Sequence, residues 1–134
     1  MPIVWSPDLS VNVELLDHQH QDFLKVLNEL YSSLQDFQNM TDLDVIFTKL
    51  KTYIDAHFTT EEGYFHQYHY PDTAVHIEEH HKFKIKMADF AKHSHGGQMT
   101  LYLELIDYLE EWLVNHLKSM DQKYSHFFNS QGLF

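Results

Sequence analysis

The 134-residue sequence contains no cysteine and no arginine; its nine basic residues are all lysine. Without cysteine there are no disulfides, no thiolate nucleophile and no Cys-based zinc or iron–sulfur site. Without arginine, and with a formal net charge of −11, the chain lacks the basic face and forked donors that read phosphates, so nucleic acid is excluded as a partner. No apolar run reaches transmembrane length, and membrane insertion is not expected. The N-terminus carries no basic n-region and no apolar h-region, which predicts a cytoplasmic protein. Glycine (4) and proline (3) are scarce. What is abundant is histidine, with twelve residues, a composition that points toward metal.

The few breakers punctuate the chain. Pro2 and Pro7 mark an extended N-terminal arm, Gln38–Asp42 a polar break, Pro71 a helix end after Tyr70, and Gly96-Gly97 a further turn. Between them lie four segments of helical length, about 18–37, 42–66, 72–93 and 98–118, followed by a short C-terminal piece. Each has a 3.6-residue apolar period. The first runs Leu16, His20, Phe23, Leu24, Leu27, Leu30, Tyr31, Leu34. The second runs Leu43, Ile46, Phe47, Leu50, Tyr53, Ile54, His57, Phe58, Glu61, and the third His76, His80, Phe83, Met87, Phe90. The fourth is Leu101, Leu105, Leu109 (or Tyr108), Trp112, Leu113, His116. Asp17, Thr41 or Asp42, and Asp72 or Thr73 are the expected caps of the first three. No strand-like alternation of any length occurs. The prediction is one all-α domain over residues 1–134, an up-down-up-down four-helix bundle with an extended N-terminal arm and a short C-terminal segment.

Polar residues interrupt the inward stripes on all four helices. His57 and Glu61, and likewise His76 and His80, are four apart, about 40° around a helix and on one face. His20 and His116 lie in the stripes of their own helices. One buried histidine finds a backbone carbonyl; many imidazoles in one core satisfy each other poorly, and a metal supplies the missing partner. Imidazole with carboxylate and no sulfur suits Fe, Mn, Zn, Ni or Cu(II). Five histidines exceed the need of one structural zinc, so two metals sharing carboxylates are expected. The second carboxylate should come from Asp121, five residues beyond His116 and so about 140° away on a regular α-helix. It reaches the same cavity if the helix ends, unwinds or carries a π-bulge between them.

These spaced motifs resemble the hemerythrin family, most closely its single-domain bacterial form. The likeness is carried by Trp5 in the arm, by His20 within Asp17-His18-Gln19-His20 and by His57-Phe58-Thr59-Thr60-Glu61-Glu62. It continues through Tyr70-Pro71 before His76-Ile77-Glu78-Glu79-His80-His81-Lys82-Phe83 to Trp112-Leu113-Val114-Asn115-His116 with Asp121 and Tyr124. It covers the chain from Trp5 to about Tyr124. The resemblance implies a non-haem di-iron centre, oxo- or hydroxo-bridged, that binds O₂ reversibly for storage, transport or delivery, in a protein that is not an enzyme. Carried over by position, His76, His80 and His116 hold one iron, His20 and His57 the other, and Glu61 and Asp121 bridge both. Five imidazoles, two bridging carboxylates and one solvent-derived bridge fill eleven of the twelve positions of two octahedral ions, which leaves one open position, on the two-histidine iron. Phe23, Phe58, Trp112 and Leu113 would line the O₂ pocket. Phe65 stands where many relatives carry Met and Phe23 where many carry a branched aliphatic residue, so both are expected to alter pocket shape. Tyr124 would anchor Asp121 as a hydrogen-bond donor.

The other seven histidines, 18, 66, 69, 81, 93, 95 and 126, read as solvated side chains or residues of helix ends and turns. Other functions the same centre allows are an O₂ or redox sensor acting through a partner, and a di-iron enzyme of peroxidase, NO or iron-oxidising type. A zinc-loaded or metal-free bundle is the bland alternative. A protein recipient of the O₂ and the oligomeric state are not legible.

Overall fold

The computed structural model describes residues 4–36, 42–92 and 98–134. Its helices are α1 (Glu14–Gln35), α2 (Leu43–Tyr68), α3 (Thr73–Lys92), α4 (Gln98–Asn115) and α5 (Gln122–Ser130). A π-helical segment, His116–Asp121, joins α4 to α5 without a break. Among the described residues there is no strand, and no helix is long and apolar enough to cross a membrane. α1 packs on α2 and α4, and α2 on α3, which is the neighbour pattern of the expected up-down-up-down bundle.

The predicted stripes form the core. Phe23, Leu27, Leu30, Leu43, Ile46, Phe58, Phe83, Leu105 and Leu109 are fully buried in one cluster, with Trp5 packed against it. Tyr102 and Ile106 on α4 join it from positions outside the predicted stripe. Each such side chain contributes roughly 1.5–3 kcal/mol on burial. Asp42 caps α2 by accepting from the Asp44 amide at 2.9 Å. Thr41, Gln38–Met40, His93, His95 and Gly96-Gly97 lie outside the described residues. The Asp72 carbonyl accepts the first backbone bond of α3, from His76 N–H at 3.0 Å.

Two local expectations are corrected. α1 begins at Glu14, not after Asp17. Asp17 lies in the first turn and accepts from Ser10 Oγ (2.6 Å) and the Val11 amide (2.8 Å), so it fastens the arm rather than capping the helix. The C-terminal piece is a helix, and the arm docks on it. Gln122 Nε2 donates to the Ser10 carbonyl (2.7 Å), and Asn129 Nδ2 to that of Asn12 (3.0 Å). These contacts close a second apolar cluster of Val11, Val13, Leu16, Phe65, Tyr70, Tyr124 and Phe128. α2 stops where His69 adopts the left-handed conformation (φ 55°) ahead of Pro71, as the proline predicts.

Candidate metal centre

The 3.6-residue period turns His20 on α1, His57 and Glu61 on α2, and His76 and His80 on α3 toward one point inside the bundle. His116 and Asp121 arrive from the π segment. All seven are buried, Glu61 and Asp121 completely. They form two overlapping groups whose ligand atoms lie within 4.8 Å of one another: Glu61 with His76, His80 and His116, and Glu61 and Asp121 with His20 and His57. The structure thus brings together every residue the sequence nominated for metal. The exposed His18, His66, His81 and His126 stay outside, as does His69, the residue after α2.

Hydrogen bonding at Nδ1 orients two of the imidazoles. Thr60 Oγ1 donates to the Ala56 carbonyl (2.8 Å) and accepts from Gln19 Nε2 (3.1 Å). That orients the Gln19 amide, so its Oε1 accepts from His57 Nδ1 at 2.7 Å. His80 Nδ1 likewise faces Glu62 Oε2 at 3.2 Å. A neutral imidazole that gives its proton at Nδ1 presents a bare lone pair at Nε2. His57 Nε2 and His80 Nε2 both point at Glu61 Oε1, 3.0 and 3.1 Å away. Acceptors that close repel one another unless a proton or a metal cation lies among them.

Asp121 repeats the pattern. Its Oδ1 is 2.9 Å from both His76 Nε2 and His116 Nε2, and its Oδ2 is 3.1 Å from His20 Nε2. The ring nitrogens pair at similar separations, His20 Nε2 to His57 Nε2 at 3.0 Å and His76 Nε2 to His116 Nε2 at 3.1 Å. Donors ~2.1 Å from a common ion and at right angles lie ~3.0 Å apart, so this spacing fits shared ions. Both oxygens of Glu61 and both of Asp121 are buried without an aligned hydrogen bond. Orphaned buried acceptors are costly, and here they all face inward. The residues present fit two metal ions.

The charges agree. Burial and the Asp121 charge would raise the Glu61 carboxyl, yet the imidazoles of His57 and His80 outweigh them and hold it well below the usual range. Burial opposes ionisation of Asp121 too, and His116, His20 and His76 reverse it. Burial, helped by His20, pushes His57 below its ordinary value. Both carboxyls are therefore held anionic and His57 toward neutral, the states metal ligands need, while Asp121 outweighs burial and raises His116, whose proton a metal ion would have to displace.

Aromatic rings enclose the cluster. Phe58 stacks on His80 (3.7 Å, 3°), Trp112 on His116 (4.2 Å, 12°) and Tyr53 on His57 (5.2 Å, 17°). Phe23 and Phe58 lie 5.8 and 6.0 Å from Trp112, and Leu113 is buried in the same cluster. Phe65 does not join this group. Its ring packs on His76 (4.7 Å) and stacks with Phe128 (5.9 Å) in the second cluster, so the expected change in pocket shape falls on Phe23 alone. The Tyr124 hydroxyl is buried without an aligned hydrogen bond. Burial first, then the charges of Asp121 and Glu61, raise it well above its ordinary value and keep it protonated, but the hydrogen bond to Asp121 expected from the sequence is not formed. Two supporting residues were missed from sequence, Gln19 and Glu62. Each adjoins a nominated residue, His20 or Glu61, but the neighbour it serves lies on another helix.

The sequence profile of the hemerythrin HHE cation-binding domain matches residues 11–127. The chain belongs to the hemerythrin family. Hemerythrin relatives of similar length include a bacteriohemerythrin of Stenotrophomonas maltophilia, 29% identical over 92% of this chain and 79% of its own. The bacteriohemerythrin of Methylococcus capsulatus is 28% identical over 87% and 88%, respectively. A myohemerythrin of Theromyzon tessulatum is 29% identical over 92% and 91%. The hemerythrin profile runs from Val11 in the arm to Phe127 in α5.

Proposed function

We propose that this chain is an O₂-binding protein with a non-haem di-iron centre, in which His76, His80 and His116 hold one iron, His20 and His57 the other, and Glu61 and Asp121 bridge the pair. The observation that carries this reading is Glu61 Oε1 facing two bare imidazole lone pairs, those of His57 and His80. Membership of the hemerythrin family supplies the identity of the metal and the ligand.

When bound, a di-iron pair held by these residues would supply reversible two-electron chemistry toward O₂. The protein's own residues do the rest. Gln19 and Glu62 hold His57 and His80 with Nε2 turned inward and raise their basicity. His20 and His57 give their side of the centre fewer protein donors, so that side would be the one open to O₂. Phe23, Phe58, Trp112 and Leu113 form an apolar lining that would admit a small apolar molecule and exclude water and its protons. Tyr124 holds its proton beside Asp121 and Glu61 and donates no charge to the site. Five imidazoles against two carboxylates favour reversible binding over oxygen activation, and we read the chain as a carrier or store rather than an enzyme. The test is gas uptake: iron-loaded, reduced protein should take up one O₂ per chain and return it under vacuum. Uptake without return would contradict the reading.

A further inference from the structure

Polar pairs strap α1 to α2 at two levels. At one, Gln19 Nε2 donates to Thr60 Oγ1 (3.1 Å). At the other, Lys49 Nζ donates to both oxygens of Glu29 (2.9 and 2.8 Å). The pairing of 19 with 60 and 29 with 49 is that of antiparallel helices, so residues 22–26 of α1 and 52–56 of α2 lie between the straps. A cleft of about 430 Å³ opens there, and its lining includes Asp22 and Val26 from α1, Thr52 and Ala56 from α2, and both Gln19 and Tyr53. Tyr53 is 9% exposed, and its ring stacks on His57 at 5.2 Å and 17°. Phe23, part of the apolar lining of the centre, lies 5.1 Å from the same ring. Gln19 accepts from His57 Nδ1 at 2.7 Å. Two residues of the cleft therefore touch one ligand of the two-histidine side, and Tyr53 alone separates the cleft from Phe23 along this line. Burial, then the charges of Glu61, Asp121 and Asp22, push the Tyr53 hydroxyl well above its ordinary value, so the ring carries no charge when it turns.

We infer that the α1–α2 cleft is the port by which O₂ enters and leaves the two-histidine side, with the Tyr53 ring as its gate. The inference rests on the O₂-binding reading above. The straps divide the work. Gln19 keeps His57 in place while the gate moves, because its amide is held from the other side by Thr60. Lys49 and Glu29 keep the helices from closing or spreading at the far end of the cleft. Side-chain rotations at a protein surface are fast, so a single ring can pass a diatomic molecule without the bundle opening. A gate has a kinetic signature. Entry and exit share one path, so narrowing or widening it changes both rates by one factor and leaves the equilibrium affinity unchanged. A residue that touches bound O₂ changes the affinity instead.

The test has two readouts. In the metal-free protein, dissolved O₂ serves as a paramagnetic probe, and the relaxation it adds to the buried Leu113 methyl protons is measured by NMR. Ala56→Trp fills the cleft from an exposed position and should reduce that effect several-fold. Ala88→Trp, at an exposed position in the separate groove between α2 and α3, should leave it unchanged. In the iron-loaded, reduced protein, stopped flow follows O₂ uptake and release. Ala56→Trp should slow both by the same several-fold factor, and Tyr53→Leu should speed both by a common factor. Tyr53→Phe, which keeps the ring, should stay near the parent. Helical circular dichroism should match the parent in every variant. Unchanged Leu113 relaxation in Ala56→Trp would overturn the port, as would equal effects of Ala56→Trp and Ala88→Trp. A changed O₂ affinity in Tyr53→Leu, with only one rate altered, would make Tyr53 a wall of the binding pocket and overturn the gate. If the iron-loaded parent takes up no O₂, the O₂-binding reading itself fails, and the metal-free measurement still decides whether the cleft admits the gas.

Discussion

His116 Nε2 and Asp121 Oδ1 are 2.9 Å apart although five residues separate them. On a regular α-helix that spacing puts side chains about 140° apart. The π winding of His116–Asp121 removes the discrepancy, and Gln122 N–H bonds back to the Leu117 carbonyl, five residues earlier. One widened turn thus lets a single stretch of chain contribute both an imidazole to one metal group and a carboxylate to the other.

Asp121 is therefore expected to be irreplaceable by its amide. Asp121→Asn keeps the volume but loses the charge and one acceptor that face His76, His116 and His20. Iron content, measured by metal analysis after reconstitution, should fall from two per chain to one or fewer. Glu61→Gln and His57→Ala should do the same, and two-iron loading in all three variants would refute the ligand set.

The supporting hydrogen bonds predict a graded effect. Gln19→Leu removes the acceptor that orients His57, and Glu62→Leu the one that orients His80. Each should weaken iron binding by about 10–100-fold, measured by competition with a chelator. Gln19→Leu should lower the affinity of the two-histidine side, and with it O₂ binding, more than Glu62→Leu does.

Leu113 tests the water barrier. It is 2% exposed and packs with Phe23 and Phe58. Leu113→Ala should cost about 2–4 kcal/mol in stability and admit water beside the iron. The rate at which the O₂-loaded protein decays to oxidised iron should rise several-fold, followed by absorbance in air. An unchanged rate would remove Leu113 from the pocket.

Acid should weaken the metal-free chain in a defined window. Glu61 and Asp121 have folded values depressed well below the ordinary carboxylate range. Their contribution is complete above the unfolded value of about 4 and is lost as pH falls below it. Denaturant midpoints should therefore drop steeply below about pH 4. Iron loading should raise the midpoint at neutral pH, and acid release of iron should precede unfolding because the ligands must be deprotonated.

The bundle and most of the centre are legible because both follow one signal, the helical period. His20, His57, Glu61, His76, His80 and His116 occupy core positions of regular stripes, so their convergence is readable before any coordinates. Asp121 breaks the period, so the sequence nominates it only as a carboxylate near the fourth helix that needs a break or π-bulge to reach the cavity, and the family resemblance gives it its bridging role. The π turn that explains it has no local sequence mark, since Asp121 meets not only His116 of its own segment but also His20 and His76 on other helices. Gln19 and Glu62 escaped notice because their partners lie across helix pairs, where sequence adjacency carries no information. Asp17 was misread for a related reason. A carboxylate ahead of an apolar stripe looks like a cap, but here the arm folds back to take its oxygens. The arm and α5 lack long periodic stripes, so the second core of Val11, Phe65, Tyr124 and Phe128 is visible only once they meet.

The most direct measurement is the visible spectrum of the iron-loaded, reduced protein under argon, then in air, then after deoxygenation. The account predicts charge-transfer bands that appear in air, vanish when O₂ is removed and return on re-exposure, with two irons per chain. Bands that persist after deoxygenation, or a chain that binds iron and shows no response to O₂, would contradict it.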